Sequence, residues 1–312
     1  MRFVPKGFQG LMPAAALMAA IASAAAIPAA ASARQSLGPC EEKAPAARPE
    51  ALLYVSDSYD SVVRIFEEPS LRCVGVIRRG LNQPSGIALD RHGYLYVANY
   101  NARNVAVYAP GLDRPVRIYR TGLTSPSDVA IGPDGTLYVV DGGILGYDSN
   151  VVEFASGSTA PARRFRIDQG LIRAVAVDRQ NVLYVSYVTN GGVEGEVNRY
   201  APGSTQGTNL ELYELGAGTF GVAVDRAGDV LVADSENFKS YINIYPPGVT
   251  LPSMTIDVSS DSNTVRDIRL THSGRLAVAM GAYTTIVCFA CSGQSRTINV
   301  TTDGVAIFPA SL

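Results

Sequence analysis

Apolar and polar residues alternate in short bursts along most of this chain. Within Pro84–Gly111 there are three such runs, Ile87–Leu89, Tyr94–Ala98 and Val105–Tyr108, separated by Asp90-Arg91-His92-Gly93 and Asn99-Tyr100-Asn101. Alternate side chains leave a strand on opposite faces, so each run predicts a short antiparallel strand between turns. The unit recurs. Its second strand reads Leu53-Tyr54-Val55, Leu95-Tyr96-Val97, Leu137-Tyr138-Val139 and Leu183-Tyr184-Val185, then, degraded, Val230-Leu231-Val232 and Leu276-Ala277-Val278. The central positions lie 42, 42, 46, 47 and 46 residues apart. A third strand ending in an aromatic follows each copy, at Phe66, Tyr108, Phe154, Tyr200, Tyr245 and Phe289. One aromatic per copy at that place predicts packing between repeats.

The first strand of the unit reads Gly86-Ile87-Ala88-Leu89-Asp90, Asp128-Val129-Ala130-Ile131, Ala174-Val175-Ala176-Val177-Asp178, Gly221-Val222-Ala223-Val224-Asp225 and Asp267-Ile268-Arg269-Leu270. A further copy, Gly304-Val305-Ala306-Ile307-Phe308, has no second strand after it, while Leu52–Ser56 is a second strand with no first strand before it. Residues 303–308 therefore complete the unit begun by residues 51–78. Four strands per period of about 45 residues is the pattern of a propeller blade. The expected fold is all-β: a six-bladed β-propeller over residues 51–308, closed by its C-terminal strand, with residues 309–312 as a tail.

The phased pattern, Gly-[IV]-Ala-[VL]-Asp, x-x-Gly-x-[LV]-Tyr-Val-Ala-[DN] and x-[RN]-[IV]-x-[VI]-[YF], resembles NHL repeats. That resemblance implies ligand binding around the central channel, on the face carrying the fourth-to-first and second-to-third strand loops.

Outside the repeat, Arg2 and Lys6 precede an apolar run from Leu11 to Ala31 that ends in Ala31-Ser32-Ala33. This is the layout of a secretory signal peptide, residues 1–33, with an uncleaved anchor as the alternative. A lipid attachment at Cys40 is a third reading, opposed by Arg34, Gln35 and Pro39 between it and the apolar run. Residues 34–50 are polar and Pro-rich and read as a flexible linker. Removal of the leader moves the net charge from −2 to −4. A surface of that sign disfavours nucleic acid, whose phosphates demand a basic face. A secreted or periplasmic monomer, not inserted in a membrane once the leader is cleaved, is the expected state.

Four cysteines in an exported chain suggest disulfides, with three connectivities open. Cys288 and Cys291 form a C-x-x-C at a strand end, which favours a local bridge over a redox site and leaves Cys40 to join Cys73.

Candidate chemistry lies at the channel mouth. Strand-entry positions carry Asp128, Arg173, Arg266, Asp267 and Asp303. Asp128 and Asp267 stand three repeats apart, across the channel from one another, and suggest a calcium site because a hard cation collects oxygen ligands. Asp57, Asn99, Asp141 and Asp234 end second strands and read as turn caps. Tyr59, Tyr100, Tyr147, Tyr187, Phe238 and Tyr283 fall one per repeat in the second-to-third strand loops and suggest an aromatic rim. His92 and His272 fall in turns on the opposite face, and no nucleophile or metal-protease motif is present. The function expected is a non-catalytic scaffold, without cofactor, binding a protein, peptide or glycan. The alternative is a calcium-dependent lactonase- or esterase-type hydrolase using Asp128, Asp267 and Asp303.

Overall fold

In a computed structural model of the protein, the described residues are 40, 52–67, 70–142, 149–167, 170–189, 194–237, 239–259, 264–270, 276–281 and 303–308. Every element in them is a strand. The first blade takes its strands in the sheet order Gly304–Phe308, Leu52–Asp57, Val62–Glu67 and Arg72–Ile77. The second is Pro84–Leu89, Leu95–Asn99, Asn104–Tyr108 and Arg117–Tyr119, and the third Pro126–Ile131, Leu137–Asp141, Asn150–Phe154 and Arg163–Arg166. The fourth is Gly170–Val177, Leu183–Thr189, Gly195–Tyr200 and Thr208–Asn209, and the fifth Val222–Val224, Val230–Glu236, Lys239–Tyr245 and Met254–Asp257. Asp267–Leu270 and Leu276–Ala279 form a two-stranded sheet. The described residues thus show five complete blades where six were expected. The last sheet's expected third strand, at 286–289, lies outside the described residues, as do the leader, the tail and the linker apart from Cys40.

The chain's tail pairs with its head. Residues 304–308 run antiparallel to residues 52–56, with Val305 opposite Val55 and Gly304 opposite Ser56. The Ser56 hydroxyl donates to the carbonyls of Ser85, at 2.6 Å, and Gly304, at 3.1 Å. The Asp303 carboxylate accepts the Ser58 amide at 3.0 Å. The first strands of successive sheets touch one another in a closed cycle, from Gly304–Phe308 through the second to fifth blades to Asp267–Leu270 and back. This radial arrangement about a central channel is a β-propeller.

Local chemistry explains the repeat's fixed residues. In the turn after the first strand, Asp90 Oδ1 accepts the His92 and Tyr94 amides, and Asp178 and Asp225 do the same in their own turns. Gly93 and Gly228 close two of these turns at positive φ, where a side chain would be strained. The core lies between sheets: Val63, Ile65, Ile87, Leu95 and Tyr108 pack together across the first and second blades. The end-of-strand aromatics Phe66, Tyr108, Phe154, Tyr200 and Tyr245 are buried at these interfaces, Phe289 lying outside the described residues, and the Tyr108 and Tyr245 hydroxyls donate to the Arg79 and Tyr213 carbonyls. A disulfide joins Cys40 to Cys73, so the linker is tied to the outer strand of the first blade. Cys288 and Cys291 lie outside the described residues.

Glycine at the head of a first strand lets the next strand approach closely. A Cβ on Gly304 would stand 2.7 Å from the Ser85 carbonyl oxygen and 2.9 Å from Gly86 Cα. Backbone cannot yield there as a flexible side chain would. Gly304→Val is expected to lower stability by about 1–3 kcal/mol, the usual cost of overpacking. Urea unfolding measures this, and an unchanged midpoint would mean that this strand does not seat against the second blade.

Candidate functional site

The channel is lined by the first strands, whose side chains fall in columns around the ring. One column is Ala88, Ala130, Ala176, Ala223 and Ala306, with Arg269 in the sixth place. These residues surround a cavity of about 100 Å³. Two positions nearer the strand entry stands the column Gly86, Asp128, Ala174, Gly221, Asp267 and Gly304.

The opposed carboxylates are joined by Arg269. Its Nη1 lies 2.6 Å from Asp267 Oδ1, and its Nη2 donates to Asp128 Oδ1 at 3.0 Å across the channel. The remaining oxygens reach the next blade: Asp128 Oδ2 accepts the Val175 amide at 2.9 Å, and Asp267 Oδ2 the Val305 amide at 3.1 Å. Asp267 Oδ1 has its ion pair but no aligned hydrogen bond. Burial pushes both carboxyls up, against the lowering effect of Arg269, and Asp267 rises to about 7. Arg269 itself is raised, because the two carboxylates outweigh the cost of its burial.

The place between Asp128 and Asp267, where calcium was expected, holds a protein side chain in this structure. A guanidinium, whose charge is permanent, fills the place between them, and a divalent cation would have to displace it. Among the described residues no group of three or more Cys, His, Asp or Glu side chains is arranged to hold a metal. Arg269 was the residue that pattern reading missed. Its signal was present as the single break in an alanine column.

The other acidic candidates are also engaged. Asp141 Oδ1 accepts the Thr124 and Ser125 amides at 2.8 Å, and Asp234 accepts from Gly216 and Thr219. Asn99 accepts the Asn82 amide. These side chains brace the loop that enters their own blade, whereas Asp57 caps its own turn at Asp60 and pairs with Arg64. Asp303 is occupied by the Ser58 amide.

Just before the aspartate column stand Ser85, Ser127, Arg173, Phe220, Arg266 and Asp303, one per sheet. Arg173, Phe220 and Arg266 therefore occupy neighbouring positions on three consecutive sheets. The guanidinium carbons lie 4.9 Å (Arg173) and 5.8 Å (Arg266) from the Phe220 ring centroid. Arg173 sits where the register shifts between Ile172 and Ala174, a bulge that re-aims its side chain. Its Nε is buried without a hydrogen-bond partner, and burial together with Arg266 lowers its pKa. Arg266 packs on Gly281, which has a φ of 55°.

Of the expected aromatic rim, Tyr59 is 88% exposed and Tyr100 half-buried. Tyr187 is corrected: it lies in a strand, 6% exposed, in the column of Asp57, Asn99, Asp141 and Asp234, with its hydroxyl donating to Glu196. Tyr147, Phe238 and Tyr283 lie outside the described residues. On the opposite face, a cleft of about 500 Å³ between the second and third blades is lined by Tyr94, Tyr96, Arg117, Tyr119 and Asp134.

Two measurements test the channel network. Arg269→Ala leaves two buried carboxylates facing each other and is expected to destabilise by about 3–5 kcal/mol, as for a buried pair with one partner removed. Adding Asp128→Asn and Asp267→Asn, which keep an acceptor for each amide, should recover most of the loss. A single variant as stable as the parent in denaturant would contradict the network. The second is pH dependence. Because the folded state holds the Asp267 proton more tightly than the unfolded chain, where Asp titrates near ~4, this contribution is full below that pH. It is lost as pH rises through about 7. The stability of the parent relative to Asp267→Asn should fall across that window and then level; a flat or rising difference would contradict it.

No protein-family model matches the chain, and no curated protein matches it. Among solved structures, it is similar to a chain in the crystal structure of a nidogen/laminin complex, with 14% identity and a TM-score of 0.63, over 82% of this chain and 98% of that one. It is similar, at 14% identity and a TM-score of 0.62, to a protein of unknown function from Bacteroides caccae, over 83% of this chain and 99% of the other. Kuenenia stuttgartiensis hydrazine synthase matches at 16% identity and a TM-score of 0.54, over 75% of this chain and 72% of that one. Likenesses at this level of identity show the fold alone, and together with the sheet order they make this chain an all-β propeller.

Proposed function

We propose that this chain is an exported, non-catalytic, six-bladed propeller of NHL-like type that binds a protein, peptide or glycan at its channel mouth. The observation that carries the reading is the Arg173–Phe220–Arg266 arc. Its cations have no carboxylate partner among the described residues, while Asp303, Asp141 and Asp128 are engaged by backbone amides or by arginine. Such an arrangement is suited to recognition: the aspartates that a hydrolase would need hold the fold together. The closed cycle of first strands supports the six-blade count. Export is supported by the Cys40–Cys73 disulfide, since such bonds persist in oxidising compartments. Among the described residues no helix is long and apolar enough to cross a membrane. A similar structure was solved as a nidogen/laminin complex, which favours a protein partner within the proposed classes.

The reading is tested by probing peptide and glycan arrays with the mature protein. Tyr59→Ala/Tyr100→Ala at the rim should reduce the signal about tenfold, as loss of aromatic anchors does. Tyr94→Ala/Arg117→Ala in the opposite cleft should leave it intact. Loss of binding only in the second variant, or no binding by the parent, would overturn the mouth as the site.

A further inference from the structure

Resting on the mouth reading, we propose that Arg173 and Arg266 form an oxyanion subsite that takes a carboxylate or phosphate group of the ligand, held beside the Phe220 ring. Both guanidiniums approach one ring from the sheets on either side of it. Two like charges converge there without a neutralising carboxylate among the described residues, and an anion between them would relieve their repulsion. The arginine nearer the interior has a buried Nε with no acceptor. A buried donor left unpaired is costly, and an oxyanion oxygen would supply the missing partner. Guanidinium groups are suited to this task, since their planar donor forks match carboxylate and phosphate oxygens.

The surroundings fix what the group must be. Ser127 neighbours Arg173 in the same column, Ser85 stands across the ring from Phe220, and Asp303 next to Arg266 is held by the Ser58 amide. A cationic ligand group would meet two fixed positive charges. The cation between Asp128 and Asp267 is the protein's own Arg269, so those carboxylates are not free to pair with the mouth arginines.

The test titrates the mature protein with inorganic phosphate and, separately, with propionate, at low ionic strength. The arginine Nε–H resonances are followed by nuclear magnetic resonance. The expected result is saturable shifts of Arg173 and Arg266 with at least one anion, and the stronger of the two identifies tetrahedral or planar oxyanion as the natural group. Arg173→Met or Arg266→Met should weaken binding by about tenfold or more, the size of one charge-assisted hydrogen bond. Arg173→Lys should retain part of it, and Arg117→Met, in the opposite cleft, all of it. No saturable shift with either anion, or an affinity equal to the parent's in the Arg173→Met and Arg266→Met proteins, would overturn the subsite. If that failure came with array binding still dependent on Tyr59 and Tyr100, the subsite would fall and the mouth reading would stand.

Discussion

Adjacent sheets of a ring share no continuous ladder, so the innermost strand of each has backbone groups facing its neighbour with no strand to accept them. This molecule answers that constraint with side chains. Asp128 and Asp267 each offer one carboxylate oxygen to an amide of the next sheet and the other to Arg269. The guanidinium thereby links the third blade to the two-stranded sheet across the channel. Where the column carries glycine, the next strand comes close enough that a Cβ would collide with its backbone. Acceptor or absent side chain, each choice meets the same requirement that a buried backbone group be paired or packed.

This arrangement separates two tiers of the channel by role. The deeper tier sets one guanidinium between two carboxylates inside the protein, and its value lies in geometry more than in net Coulomb energy, since burial offsets most of the attraction. The outer tier, one residue nearer the strand entry, is left unbalanced: two arginines share a phenylalanine and find no carboxylate among the described residues. Structural carboxylates below and unneutralised guanidiniums above are the physical basis for reading the mouth as a place that receives something.

The repeat was legible because each of its features has a local cause. Alternation, turn aspartates and turn glycines act within a few residues, so Leu52–Ser56 and Val305–Phe308 could be matched as halves of one blade. The Cys40–Cys73 link followed from elimination of a local C-x-x-C pair. Pattern reading failed where the cause was long-range. Asp128 and Asp267 were correctly set opposite each other, but the side chain between them came from Arg269, whose reach across the channel no local pattern reports. Tyr187 looked like a loop aromatic because its strand runs on to Thr189, past the point where the second strands of the first three blades stop. The blade count rested on six copies, of which the described residues complete five.

Amide hydrogen exchange at Val305 tests the ring most directly. This amide faces away from the 52–56 strand and is held by the Asp267 carboxylate alone. The expected result is exchange only through global unfolding, at the rate of the amides that pair with residues 52–56. Exchange at the rate of a solvated edge amide, with those neighbours still protected, would mean that the carboxylate does not grip the closing strand.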